Sequence, residues 1–194
     1  MKHKFFNQLQ TAHAQGIFAQ FIKDCATSGE LFEHIPELIG LDKVQQNPQW
    51  HPEGDVWTHT LLVIENLPSN ATFAMALSAL FHDVGKAHTT VIDETGRITA
   101  HGHENVSKKI AGQILDDFGA DATLKEAVVF LVARHMLAHS KDTNIKTLRR
   151  LILEAGPELV DQLLLHGVAD VKAGCCDFTH CNRLRELFDT MEKQ

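Results

Sequence analysis

His59 shares a helical face with Val56, Val63 and Leu67, its i−3, i+4 and i+8 neighbours, so periodicity turns its imidazole toward a core. His103 lies likewise with Val106, Ile110 and Ile114, and His135 follows Leu124, Val128 and Leu131. Asp170 follows Leu163 and stands four residues after His166, again on an inward face. His82 and Asp83 end a nearly all-apolar stretch just ahead of Gly85. One histidine on an apolar face is ordinarily a core residue satisfied by a hydrogen bond. A buried carboxylate differs, because an unpaired charge in the core is very costly. Inward-facing imidazoles and two carboxylates from separate helices need a common partner, and a divalent cation is the simplest one. Neutral imidazole with carboxylate suits Zn, Mn, Fe, Ni or Mg rather than a soft, thiolate-seeking ion.

The elements that must position these groups read as helices. Periodic segments cover 4–14 and 17–27, the second closing at Gly29, and a short turn over Leu31–His34 ends at Pro36. After a polar loop with Pro48 and Pro52, Asp55 caps a helix running to about Leu67. Asn70 is expected to cap the apolar helix from Ala71 to His82, which Gly85 stops. Residues 88–101 lack helical period, and Thr89–Asp93 with Arg97–His101 flank Glu-Thr-Gly as a small hairpin or lid. Helices are then expected over 103–118, 123–139, 143–155, 157–173 and 180–192. The whole reads as one all-α domain over residues 1–194. Helices in 1–34 pack on a core spanning 35–173, and a C-terminal helix lies within 174–194.

Composition narrows the function classes. The 194 residues are 44% hydrophobic and 22% charged, ordinary for a globular chain. Acids outnumber bases 25 to 18, for a net charge of −7, which argues against extended nucleic-acid binding. Histidine is abundant at 13, and there is no tyrosine. Apolar stretches fall short of the roughly eighteen residues of a membrane span. The start, Met-Lys-His-Lys-Phe-Phe-Asn-Gln, has no apolar core of a signal peptide. Cys25, Cys175, Cys176 and Cys181 make a poor secreted framework, because Cys175 and Cys176 are adjacent and three of the four crowd together. Reduced thiols and a cytoplasmic location are expected. A zinc site from Cys175, Cys176, His180 and Cys181 lacks the spaced ligand pairs of structural zinc modules.

Four blocks then carry a resemblance. The order His59, His82-Asp83, Asp170 resembles the H…HD…D pattern of the HD-domain metal-dependent phosphohydrolases. His51-Pro-Glu-Gly-Asp-Val-Trp-Thr-His59-Thr, Phe81-His-Asp-Val-Gly-Lys86, Asp93-Glu-Thr-Gly-Arg-Ile-Thr-Ala-His-Gly-His-Glu104 and Arg134-His-Met136 are similar to the HD domain of bacterial CCA-adding tRNA nucleotidyltransferases, over about Ile35 to Ala173. Those enzymes carry a nucleotidyltransferase head with a Gly-Gly turn and paired aspartates. The present sequence has no Gly-Gly dipeptide and only about fifty residues ahead of the HD region. The expectation is therefore a free-standing HD-type helical bundle with a small excursion near 88–101, and CCA addition is not carried over.

The resemblance implies that His59, His82, Asp83 and Asp170 bind one divalent ion. Two-ion members add two histidines, matching His103 and His135, with the aspartate of the pair bridging; Ser107 stands where relatives often have Gly. The ion is expected from among Mg, Mn, Ni, Fe, Co and Zn. The implied activity is phosphodiesterase or phosphatase chemistry on nucleotide or RNA-end phosphates such as 2′,3′-cyclic phosphates, by attack of metal-activated water. Asp83 and Lys86 are the expected catalytic residues, and Lys86 and Arg134 the expected phosphate ligands. Arg149, Arg150 and Lys172 are candidates for a positive rim, and His101 and His139 for supporting or proton-donating roles. The alternatives are a non-catalytic metal- or nucleotide-binding module, and a nucleoside triphosphate hydrolase or 5′-nucleotidase of the same fold. The expected partner is a small phosphorylated substrate, with Lys86 and the ions gripping it and 88–101 closing over it.

Overall fold

A computed structural model gives the fold and describes residues 2–192. Among these residues the regular structure is helical apart from one two-stranded hairpin and an isolated bridge between Gln45 and Asp55. The first part holds α1 (Lys2–Ala14), α2 (Phe18–Ser28), α3 (Glu30–His34), α4 (Val56–Glu65), α5 (Phe73–Phe81) and α6 (Lys86–Thr89). The hairpin follows as β1 (Val91–Ile92) and β2 (Ile98–Thr99). The second part holds α7 (His103–Phe118), α8 (Ala122–Arg134), α9 (Ile145–Ala155), α10 (Pro157–Ala173) and α11 (Thr179–Glu192). Three 3-10 turns complete it, at Pro36–Leu38, Leu41–Lys43 and His135–His139. The molecule is all-α in class.

The hub is α5. Every residue from Ala74 to Phe81 is buried, as expected of a helix that is apolar all round. It packs against α4, α7, α8 and α10, so each helix that carries or leads into a polar group of interest surrounds it. One hydrophobic cluster runs from Phe5 in α1 to Phe188 in α11. At the amino-terminal end Phe6 stacks on Phe118 with ring centroids 5.4 Å apart, tying α1 to α7.

Several boundaries differ from the sequence expectation, each for a local reason. The cap of α5 is Thr72, whose hydroxyl accepts the Met75 N–H at 3.2 Å; Asn70 and Ala71 belong to a turn in which the Ala71 N–H reaches the Pro68 carbonyl at 2.9 Å. The helix stops at Phe81, and His82–Gly85 form turns before α6, a short helix the period reading missed. The expected hairpin is present, with Val91 opposite Thr99 and Ile92 opposite Ile98. Its turn is closed by Asp93 Oδ1, which accepts from the N–H groups of Thr95 and Arg97 at 2.9 and 3.0 Å. The helix expected over 123–139 ends at Arg134 and tightens into 3-10 geometry. There the His135 imidazole engages the Val132 carbonyl at 2.8 Å, a side-chain bond that competes with the helical ladder. The helix expected from residue 143 begins at Ile145 as α9, capped by Asn144, which accepts from the Lys146 and Thr147 N–H groups. All four cysteines are free thiols. No helix among the described residues is long and apolar enough to cross a membrane.

Candidate metal centre

The chain first fixes the rings. His82, His103 and His135 each donate Nδ1–H to the carbonyl three residues earlier: Ala79 at 2.9 Å, Ala100 at 2.8 Å and Val132 at 2.8 Å. With Nδ1 committed, each ring turns its Nε2, the nitrogen left for a ligand, to the centre of the molecule. His59 Nδ1 donates instead to Glu53 Oε1 at 2.5 Å, and His51 Nδ1 donates to the same oxygen at 2.9 Å. Asp55 starts α4 by accepting the Thr58 N–H and hydroxyl, both at 2.8 Å. One turn on, His59 therefore faces inward and is fully buried.

Two groups form around one carboxylate. His59, His82 and Asp170 lie together, as do Asp83, His103 and His135. Asp83 stands between them: its Oδ2 is 3.3 Å from His82 Nε2 and 3.8 Å from His59 Nε2, and its Oδ1 is 3.1 Å from His103 Nε2 and 3.7 Å from His135 Nε2. Asp170 Oδ1 lies 2.9 Å from His59 Nε2. The residues named for metal binding from the sequence are thus brought together without exception.

These groups fit a divalent cation. His82 Nε2 and Asp83 Oδ1 are buried without a hydrogen-bond partner, and buried polar atoms are rarely left so. His103 Nε2 and His135 Nε2 face each other at 3.0 Å with both Nδ1 atoms already donating, so two lone pairs meet unless a cation lies beside them. The supporting carboxylates are of the kind that orient ligating imidazoles. Burial opposes charge on Asp83 and Asp170, yet both are held well below the usual carboxylate range, Asp83 by His82 and Lys86 and Asp170 by His139 and His59. Burial likewise opposes charge on Glu53, but hydrogen bonds from His51 and His59 bring it down to about 2. His59 is pushed down by burial and more strongly up by Asp170 and Glu53, to about 9. Burial and the neighbouring His82 depress His135 well below the ordinary histidine value.

Close backbone approach brings α7 to this centre. Gly85 donates its N–H to Ser107 Oγ at 2.9 Å, and a Cβ there would lie 2.5 Å from the His103 carbonyl oxygen. Only glycine lets the turn after Asp83 lie directly on the start of α7. The Ser107 hydroxyl, in a place where Gly was the expected residue of relatives, supplies that turn with an acceptor.

The cluster forms the floor of a pocket of about 440 Å³. Lys86 borders it, its ammonium 2.7 Å from Asp83 Oδ2 and 2.6 Å from Gln46 Oε1. Arg134 is not brought to this pocket: its guanidinium pairs with Glu154, lies 4.4 Å over the Phe130 ring, and borders an adjoining cleft with Arg150. Arg149 and Lys172 border neither space. The cations at the pocket mouth are Arg97 and Lys141, which sequence reasoning missed because neither falls on a periodic inward face. His139 is brought in, its Nε2 3.0 Å from Asp170 Oδ2, and His101 lines the pocket. Glu53 and Gln46 were also missed. Glu53 stood in view within the His51–His59 block, six residues from the histidine it supports.

Comparison with known proteins agrees with this geometry. Residues 56–168 match the HD domain family. The chain is 31% identical over 180 residues to the Multifunctional CCA protein of Thioalkalivibrio sulfidiphilus (strain HL-EbGR7), covering 87% of this chain and 42% of that protein. It is 28% identical to the Multifunctional CCA protein of Vibrio cholerae serotype O1 (strain M66-2), over 90% of this chain and 41% of that protein. Its identity to that of Acinetobacter baumannii (strain AYE) is 28%, over 84% and 40% respectively. The similarity reaches beyond the 35–173 span expected, while the chain spans about two fifths of the length of these relatives. With its residues 56–168 matched and its histidines and aspartates converging in three dimensions, the chain belongs to the HD domain family, within the metal-dependent phosphohydrolase superfamily.

Proposed function

We propose that this chain hydrolyses a small nucleotide phosphate, with 2′,3′-cyclic phosphates and 2′-phosphomonoesters first among the candidates, using two divalent cations. His59, His82, Asp83 and Asp170 would hold one ion, and Asp83, His103 and His135 the other. The observation that carries the reading is Asp83, which turns one oxygen to each group of Nε2 lone pairs. Bound there, divalent ions supply Lewis acidity toward a phosphate oxygen and lower the pKa of water toward neutrality.

The chain's own residues do the rest. Glu53 holds the His59 ring in the orientation that points Nε2 at the centre. Lys86 spends two of its three N–H donors on Asp83 and Gln46, which holds the shared carboxylate still and leaves one donor for a phosphate oxygen. The buried floor keeps bulk water from the shared carboxylate, where fixed dipoles act more strongly. A pocket of about 440 Å³ is in the range that takes a small molecule. The relatives bear the name of a CCA protein, which supports a nucleotide or RNA end as the phosphate's source.

The test is a substrate panel on protein reconstituted in parallel with Mg, Mn, Ni, Co and Fe. It should contain 2′,3′-cyclic nucleotides, 2′- and 5′-monophosphates and deoxynucleoside triphosphates. Ring opening of the cyclic phosphates is expected to lead. Metal-loaded protein inert to the whole panel would make the chain a binding module, and preferential attack on triphosphates or 5′-monophosphates would move it to those classes.

A further inference from the structure

Trp50 is 52% exposed, and its indole has no aromatic partner among the described residues. Its neighbour in sequence, His51, already belongs to the Glu53–His59 network, so Trp50 stands directly beside the supports of the centre. Of the eight large apolar side chains exposed among the described residues, only Trp50 and Met136 line the pocket. The others, such as Leu153 and Ile39, lie elsewhere on the surface, where isolated exposed apolar groups are ordinary. The backbone under the indole is set, because Asn47 O accepts the N–H groups of Trp50 and His51 at 3.0 and 2.9 Å. Along the same mouth stand Arg97 and Lys141, neither of them in an ion pair among the described residues. The pocket therefore offers metal-ligand chemistry at its floor and a flat, wet aromatic surface with cations at its rim.

We propose that Trp50 stacks the base of the substrate and so makes this pocket selective for nucleotides over base-free phosphate esters. The inference rests on the proposed phosphate hydrolysis at the floor and adds which part of the substrate the rim reads. A purine or pyrimidine ring has a π-face that matches an exposed indole, and stacking tolerates any base because it reads no hydrogen-bonding edge. The exposed, polarizable Met136 thioether is a second surface for an aromatic ring. A sugar phosphate lacking a base reaches the floor and leaves Trp50 in water. Trp50 is thus a specificity residue for binding, and its contribution belongs in KM.

The test compares adenosine 2′,3′-cyclic phosphate with methyl riboside 2′,3′-cyclic phosphate, which keeps the reacting group and lacks the base. Trp50→Ala is expected to lower the ratio of their kcat/KM values by about 5- to 140-fold, the span of one stacked base, through KM. Trp50→Phe should restore most of that ratio. A second readout uses the unsubstituted, Mg-loaded protein, which has two tryptophans. The indole N–H resonance of Trp50, assigned by its loss in Trp50→Phe, should shift on adding adenosine 2′-monophosphate and stay in place on adding methyl riboside 2-phosphate. An unchanged ratio in Trp50→Ala, or an indole resonance indifferent to the nucleotide, overturns the proposal. If neither cyclic phosphate is turned over, the hydrolytic reading fails on its own, and the resonance shift still decides whether Trp50 takes a base.

Discussion

Asp83 serves two sets of imidazoles with one carboxylate, so its removal should be felt at both. Asp83→Ala is expected to lose both ions while the protein stays folded, since a buried charge disappears together with the cations that balance it. Metal analysis of the purified variant checks this, and full occupancy would remove Asp83 from the site. His103→Ala or His135→Ala should leave one ion per chain. A pH dependence follows from His59, whose folded value stands at about 9. Below that pH a proton occupies the ring nitrogen that a cation needs, and above it the nitrogen is free. Metal affinity at this position should therefore fall by up to about tenfold for each pH unit below 9. Titration calorimetry in buffers of different ionisation enthalpy should find about one proton released with the first ion at pH 7. At this scale the sequence was informative wherever a polar group broke an apolar helical face, as at His59, His103, His135 and Asp170. It was silent on Glu53, Gln46, Arg97 and Lys141, because loop and hairpin positions carry no period from which direction can be read. Arg134 failed for a related reason: adjacency to His135 says nothing of direction, since neighbours on a helix point about 100° apart.

The elements act through close contact rather than through length. α5 brings Asp83 to the middle of the molecule, and the Gly85 turn lets α7 close over it. Gly85→Ala places a Cβ 2.5 Å from the His103 carbonyl oxygen and 2.6 Å from the Ser107 nitrogen, and backbone cannot swing aside as a side chain does. Overpacking of this kind costs about 1–3 kcal/mol, and here it also pushes His103 from Asp83. The expected result is a lower melting temperature together with loss of the Asp83–His103–His135 ion. Gly112→Ala is the control within α7, since its Cβ would meet nothing nearer than 3.7 Å. It should leave metal binding alone and raise stability by up to about 1 kcal/mol through helix propensity. The helices were legible because their apolar period and their capping residues agree. The breaks at His82 and His135 were not, because in each a histidine takes a backbone carbonyl that the period assigns to the helix. Three of the proposed ligands lie at those breaks, His82 and Asp83 where α5 stops and His135 where α8 stops.

The whole molecule carries a net charge of −7 and presents a pocket of about 440 Å³ at the proposed centre. Turnover of a mononucleotide substrate should accordingly vary only modestly between about 50 and about 200 mM salt, whereas dependence on many phosphate contacts would produce a loss of orders of magnitude. A steady-state series with adenosine 2′,3′-cyclic phosphate checks this, and a steep fall or a requirement for intact tRNA would contradict it. The all-α class was legible from the run of helical periods, and the convergence of distant residues from the order of four sequence blocks. The division of those residues into two groups around one aspartate was implied by the resemblance, and the fold adds its geometry, with Asp83 Oδ2 toward His82 and His59 and Oδ1 toward His103 and His135. The most direct test of that division is a crystal of the protein soaked in Mn and measured at the Mn absorption edge. The account expects two anomalous peaks flanking the Asp83 carboxylate, one in reach of His59, His82 and Asp170 and the other in reach of His103 and His135. No peak at Asp83, or ions held only elsewhere on the chain, would contradict it.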